Sequence, residues 1–370
     1  MTIDWIDQAI SNGIHITRQN LASLKDFPER TEQGQWQCVE NGGWVGGHWT
    51  GLLWLAYAYT HAPEFRAAAL QWTSRLAPRQ SDATTHDLGF LFELSHVLGA
   101  RITGDASLKA PALTAARTLS KRFNHKGRYF QAWGALDAPF DRRGRAIIDT
   151  MMNLDLLFWA SRETGDPCFA EMAVTHAHTV LAYQVRPDGS TSHAIDFNPV
   201  TGEFLGQGTH QGLSASSCWS RGQAWAVYGF AECYRETHDE TFLEAARRLA
   251  TYCLHRSTAD HVPYWDYDSP QIPNDVRDSS AAAILASGLL LLASLETDSI
   301  KADGWRCEAE TILESLWHHY SSRGTAEPSI LIHATRSKPH GFMDQGLIYG
   351  DYYFLEGLTR LHVPALIPNL

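Results

Sequence analysis

Apolar residues recur along this chain at helical rather than strand spacing. Ile6, Ile10 and Ile14, then Leu21 and Leu24, open the pattern, and the period is that of one helix face. Thereafter two kinds of segment alternate. One kind is apolar on every side and rich in Gly, Ala and aromatics: 50–60, 87–99, 149–164, 221–237, 278–295 and 346–362. The other carries a single apolar stripe: 4–24, 63–76, 106–123, 168–184, 240–256 and 305–320. A helix apolar all round must be buried on all sides, whereas a striped one covers it from outside. Six of each in alternation predict an all-α (α/α)6 barrel, with the first outer helix closing against the last inner one. An open helical array is the alternative. The uneven spacing excludes a short-period solenoid, and it arises in long connections at 122–148 and 186–220. Strand signals are weak; 127–133 and 262–267 suit short hairpins within connections. No Pro/Ser linker or charge block divides the chain, so 1–370 is expected to be a single domain.

Composition narrows the partners. Lys+Arg 30 against Asp+Glu 41 gives a net charge of -11, which argues against nucleic acid and anionic membrane. No apolar run has signal-peptide or membrane-spanning length; the best, 281–295, is short and carries Ser287 and Ser294. Six cysteines lie far apart with no CxxC pair, a usage that fits the reducing cytoplasm. There is no HExxH, GxSxG, Walker or strand-led GxGxxG motif, and the Gly42–Gly47 run shows no strand before it. No metal or cofactor is therefore expected. The 13 Trp are the unusual feature. Some are core, but Trp faces also stack on the apolar faces of pyranose rings.

Alternating antiparallel helices gather the N-termini of all inner helices at one end of the barrel. Before the first comes Asn41-Gly-Gly-Trp44-Val-Gly-Gly-His48-Trp49, and before the second Thr84-Thr-His86-Asp87. Arg145-Ala-Ile-Ile-Asp149 leads into the third and Trp219-Ser-Arg221 into the fourth. Arg277-Asp278-Ser-Ser leads into the fifth, and Tyr349-Gly350-Asp351 into the sixth. Carboxylates, Trp, His and Arg around one mouth suit a saccharide-processing cleft. An Asp at a helix start is most often an N-cap. That reading is preferred for Asp278, and a structural one for Asp351; for Asp87 cap and site are balanced. Asp149 lies among Ile147, Ile148, Met151 and Met152, apolar bulk expected to raise its pKa toward a general acid's. Asp155 reads as a partnered interior group. Trp54, Trp159 and Trp317 fall within helical stripes and read as packing. Trp44, Trp133, Trp219 and Trp225 lie in or beside polar, Gly-rich connections, where a large ring needs another reason. His193 and His210 lie in the 186–220 connection.

These residues resemble the unsaturated glucuronyl hydrolase family, (α/α)6-barrel enzymes that act after polysaccharide lyases. The likeness covers nearly the whole chain. It rests on Gly51-Leu-Leu-Trp-Leu, His86-Asp-Leu-Gly-Phe-Leu, Gln131-Ala-Trp-Gly and Ile148-Asp149 with Asn153-Leu. To these are added Gly208-Thr-His-Gln-Gly, Trp219-Ser-Arg-Gly-Gln-Ala-Trp225, Arg277-Asp-Ser-Ser-Ala and Gly350-Asp-Tyr-Tyr. By that resemblance Asp149 is the general acid/base and Asp87 its partner. His86, His193, Thr209, Gln211, Trp219, Arg221 and Trp225 would then bind the unsaturated uronate, with Trp44 and Trp133 close by. Residues 325–346 match no motif and receive no assignment. The resemblance implies a substrate whose C4=C5–O5 unit is a vinyl ether, hydrated with one acid/base residue and no metal or nucleotide. Arg221 would hold the substrate carboxylate or position Asp149. Rival readings are an unsaturated rhamnogalacturonyl hydrolase, a His-based sugar epimerase on the same barrel, and a non-catalytic saccharide-binding protein.

Overall fold

The computed structural model describes residues 4–139 and 143–366. Of the span expected to form one domain, 1–3, 140–142 and 367–370 lie outside the described residues. Twelve helical segments alternate around a ring. Inner α2 (Gly46–Thr60) is backed by outer α3 (Pro63–Leu76). Inner α4 runs through three consecutive pieces, Leu88–Phe92, the π-helical Glu93–Val97 and Leu98–Thr103, and is backed by α5 (Lys109–Ser120). Inner α6 (Asp155–Thr164) pairs with α7 (Cys168–Tyr183), α8 (Ser220–Thr237) with α9 (Glu240–His255), and α10 (Ser279–Leu295) with α11 (Ser299–His319). The sixth inner helix, α12 (Ile348–His362), packs on α2 and on the first outer helix, α1 (Asp4–Ser23). The ring is closed, so the open-array alternative falls.

The two helix classes follow their patterns. Every residue of α8 from Ser220 to Tyr234 is buried, while α9 buries only the stripe through Phe242, Ala246, Leu249 and Cys253. Inner helices approach so closely that two positions require glycine. A Cβ on Gly47 would meet the Phe90 carbonyl at 1.8 Å, and one on Gly89 would meet the Asn153 Cα at 2.4 Å.

The third inner segment departs from expectation. Residues Ile148–Asn153 form a tighter 3-10 helix before α6 begins. Asn153 binds this turn to α4 by accepting the Phe90 N–H at 2.9 Å. Strands are also more numerous than the weak signals implied. A hairpin of β1 (Phe27–Glu32) and β2 (Gln35–Val39) precedes Gly42, so that glycine run does follow a strand. That strand turns back antiparallel rather than forming a phosphate-binding βαβ unit. In the long connections, β4 (Tyr129–Phe130) falls within the expected 127–133, but its partner β3 (Phe123–Asn124) precedes that run. β5 (Arg145–Ile147), β6 (Ala194–Phe197) and β7 (Phe204–Gly208) form an antiparallel sheet at the mouth. Residues 262–267 make only isolated bridges, Trp219 with Asp266 and Tyr264 with Arg277. No helix among the described residues is long and apolar enough to cross a membrane.

Candidate active site

The β5–β6 pairing brings Asp149 and His193 together. Ile147 pairs with Ala194, and the Ile148 N–H donates to the His193 carbonyl at 3.0 Å. Asp149 lies in the first turn of the 3-10 helix, with Oδ2 3.6 Å from His193 Nε2. That separation is beyond a formed hydrogen bond. His193 Nδ1 accepts the backbone N–H of His210 at 2.9 Å and of Gln211 at 3.1 Å. Its neutral ring proton must then sit on Nε2, facing Asp149. Loop 209–212 thus sets which nitrogen Asp149 meets.

Burial pushes the Asp149 carboxyl upward, yet His193, His86 and Arg221 together hold it below the ordinary carboxylate range. The expectation of a raised pKa in this free state is therefore corrected. Ile148 and Met151, adjacent in sequence, turn against Gly222 and Gly229 of α8, so the carboxylate faces polar groups instead. His86 is buried, its Nδ1 2.8 Å from the Thr150 hydroxyl and its Nε2 3.3 Å from Asp87 Oδ1. Asp87 occupies the N-cap position of Leu88–Phe92, but its side chain caps no backbone N–H. Among the described residues its carboxylate accepts the Thr85 hydroxyl alone, at 2.7 Å.

These groups face a cavity of about 370 Å³. Trp44, His86, Asp87, Trp133, Asp149, Gln211 and Arg221 all line it, as the sequence predicts for a mouth built from inner-helix starts. Four other predicted residues stand behind that lining. Thr209 accepts the Gly212 N–H and shapes the loop. His193 touches Asp149, as described. Trp219 is buried between the His193 ring and the Arg221 guanidinium, at 4.7 and 4.5 Å. Trp225 is buried against Phe90 and Tyr353 and does not line the cavity. It follows Trp219 by six helical residues, about 9 Å of rise, and motif alone does not separate a ring at the mouth from one below it.

The far wall escaped the sequence reading. Arg336, Ser337, His340 and Phe342 line the cavity from the connection between α11 and α12. The barrel layout held a usable signal, because that connection leads to an inner-helix start and so must reach the mouth. Arg221 holds the wall in place: Nη1 donates to Asp278 Oδ2 at 2.5 Å and to the Thr335 carbonyl at 2.7 Å, and Nη2 to the Arg336 carbonyl at 2.6 Å. Asp278 caps α10 through the N–H groups of Ser280 and Ala281. Gln211 donates to the Arg336 carbonyl at 3.0 Å. Asp351 accepts the N–H groups of Ile330 and Leu331, both at 2.9 Å. Asp155 binds Arg235 at 2.9 Å, the interior partner expected.

A closed α/α barrel with two uncapped aspartates and aromatic walls at its mouth defines a carbohydrate-active enzyme. The chain belongs to Glycosyl Hydrolase Family 88, whose profile it matches over residues 14–324. It is 37% identical over 362 residues to the unsaturated glucuronyl hydrolase of Bacillus sp. strain GL1, covering 96% of each chain. It is 36% identical to the unsaturated chondroitin disaccharide hydrolase of Streptococcus pneumoniae, covering 98% of this chain and 93% of that one. The crystal structure of the Bacillus enzyme, described as responsible for the degradation of glycosaminoglycan, superposes with a TM-score of 0.94 at 36% identity, over 98% of both chains.

Proposed function

We propose that this glycoside hydrolase releases 4,5-unsaturated glucuronic acid from the non-reducing end of lyase-generated glycosaminoglycan oligosaccharides, by hydrating the ring double bond. Its partner is thus an unsaturated uronate-containing oligosaccharide. One observation carries the reading: Asp149 faces the cavity with Oδ2 unbonded among the described residues, held opposite a His193 N–H. Protonated Asp149 gives its proton to C4, and positive charge spreads over C5 and O5. The carboxylate so formed takes a proton from the water that adds at C5. The resulting hemiketal opens and releases the second sugar. Asp87 orients the ring and stabilises the developing charge. One acid/base residue suffices, unlike the two-carboxylate schemes at an anomeric carbon.

The depressed pKa of free Asp149 fits this chemistry through the substrate's own charge. A uronate carboxylate beside Asp149, and water excluded from the cavity, both favour the neutral acid. Arg221 keeps its Nε–H and one Nη2–H for that carboxylate once its bonds to Asp278, Thr335 and Arg336 are counted. Its wall-holding role accompanies substrate contact rather than replacing it. The six cysteines are unpaired, which supports a reducing, cytoplasmic location, and the chain is read as one catalytic domain.

The test follows the ultraviolet band of lyase-made disaccharides. Loss of the band, abolished in Asp149→Asn with binding retained, is expected. Hydrolysis in deuterated water is expected to place deuterium at C4 of the released acid. A band that persists with every glycosaminoglycan disaccharide but falls with pectin-derived ones would replace this reading with the rhamnogalacturonyl one.

A further inference from the structure

A second cavity, about 770 Å³, lies on the outer wall between α9 and α11. It is larger than the 370 Å³ cavity at the mouth. Its α9 side runs from Glu244 to Arg256, about 18 Å of helix. Because the outer helices end where the inner ones begin, the groove leads toward the mouth. Its charge opposes that of the chain. Arg247, Arg248, Arg256 and Lys301 line it, against Asp188 and Glu244, on a molecule of net charge -11.

Not all of these cations are free. Arg247 is bound bidentately by Glu296 at 2.8 and 2.6 Å, and Arg256 reaches Asp268 at 3.3 Å. The side chains of Arg248 and Lys301 are exposed and make no hydrogen bond or ion pair among the described residues, although the Lys301 charge is felt at Glu296. Trp305 lines the same groove, half-buried, with its indole N–H fixed on Glu296 at 3.1 Å. A held aromatic ring in one groove with exposed cations pairs ring stacking with anion binding, the two demands of an acidic sugar polymer.

We infer that this groove is a second, non-catalytic binding site for uronate-bearing oligosaccharides several sugars long. The choice of ligand rests on the proposed function; the binding does not, since it is measured without turnover. A saturated decasaccharide of alternating glucuronic acid and N-acetylhexosamine is titrated into the full chain by calorimetry. Binding is expected to weaken at least tenfold in Arg248→Glu/Lys301→Glu, whose side chains are exposed, and in Trp305→Ala. Turnover of an unsaturated disaccharide, too short to span both cavities, is expected to stay unchanged in the double variant, while KM for a long unsaturated chain rises. Unaltered decasaccharide affinity in the double variant overturns the proposal. So does equal affinity for a single-stranded oligonucleotide of the same charge, which would mark the groove as a general polyanion surface. Absence of disaccharide turnover in the unaltered chain, with groove binding intact, would instead count against the proposed reaction.

Discussion

Asp155 aside, four aspartates stand at or close to the starts of inner helices, and they divide into two pairs. Asp278 and Asp351 are spent: one caps α10 and neutralises Arg221, the other accepts two backbone N–H groups. Asp87 and Asp149 are unspent, with no backbone cap on the first and an unbonded Oδ2 on the second. The pairs differ in pKa in an instructive direction. Burial pushes Asp351 up to about 8 despite its two N–H donors, while Asp149 is held low. A raised pKa alone would select Asp351 as the acid, although it does not line the cavity at the mouth. Unsatisfied oxygens directed at an open volume are the better mark of a reacting carboxylate.

Breaking the unspent pair should have the largest effect. Asp149→Asn is expected to lower turnover by about 10²–10⁴-fold or more with little change in melting temperature, read from the ultraviolet assay and a thermal scan. Breaking the spent pair should reverse that balance. Asp278→Ala leaves the Arg221 charge buried without its partner, a loss of about 3–5 kcal/mol, measured by urea unfolding. Because Arg221 also holds Thr335 and Arg336, KM should rise more than kcat falls.

Titration sharpens the contrast. The free-state acid form of Asp149 grows scarce as pH rises, so log kcat/KM is expected to fall with a slope of about -1 on the alkaline side. The corresponding limb of kcat should lie at higher pH, because bound uronate favours the neutral acid. Stability has its own dependence. Burial pushes His48 and His176 down to about 3 and His96 down to about 4, from 6.5. Below 6.5 the unfolded chain binds protons these rings refuse, so stability falls toward acid by up to about 1.4 kcal/mol per pH unit for each histidine. Asp351 has the opposite sign. Folded, it keeps its proton from 3.8 to about 8, so its contribution falls as pH rises through that window; Asp351→Asn should remove that fall between pH 6.5 and about 8 and steepen the loss toward acid, seen in melts at several pH values. The smallest effect is expected at the wall, where Arg336→Ala should raise KM a few-fold and leave kcat nearly unchanged.

The ring of helices was legible because burial on all sides and burial on one side leave different residue patterns, as α8 and α9 show. The carboxylates were legible as positions, not as states. Nothing in the order Ile-Ile-Asp-Thr-Met tells that Ile148 and Met151 turn toward α8 and leave Asp149 to His193. The far wall was hidden for another reason. Residues 330–336 carry no periodic pattern, since backbone bonds to Asp351, Asp278 and Arg221 hold them. Such contacts spare the side chains and leave no imprint on composition.

Closing the ring joins two helices that lie far apart along the polypeptide. Helix α1 finds its place against α12, more than three hundred residues downstream. On a ribosome the stripe of Ile6, Ile10 and Ile14 therefore emerges long before its final neighbour is made, and stays in water or on a chaperone until residues 348–362 have followed. Nascent chains halted before residue 348 should be protease-sensitive at this segment, and the last helix should act as the latch that protects the first.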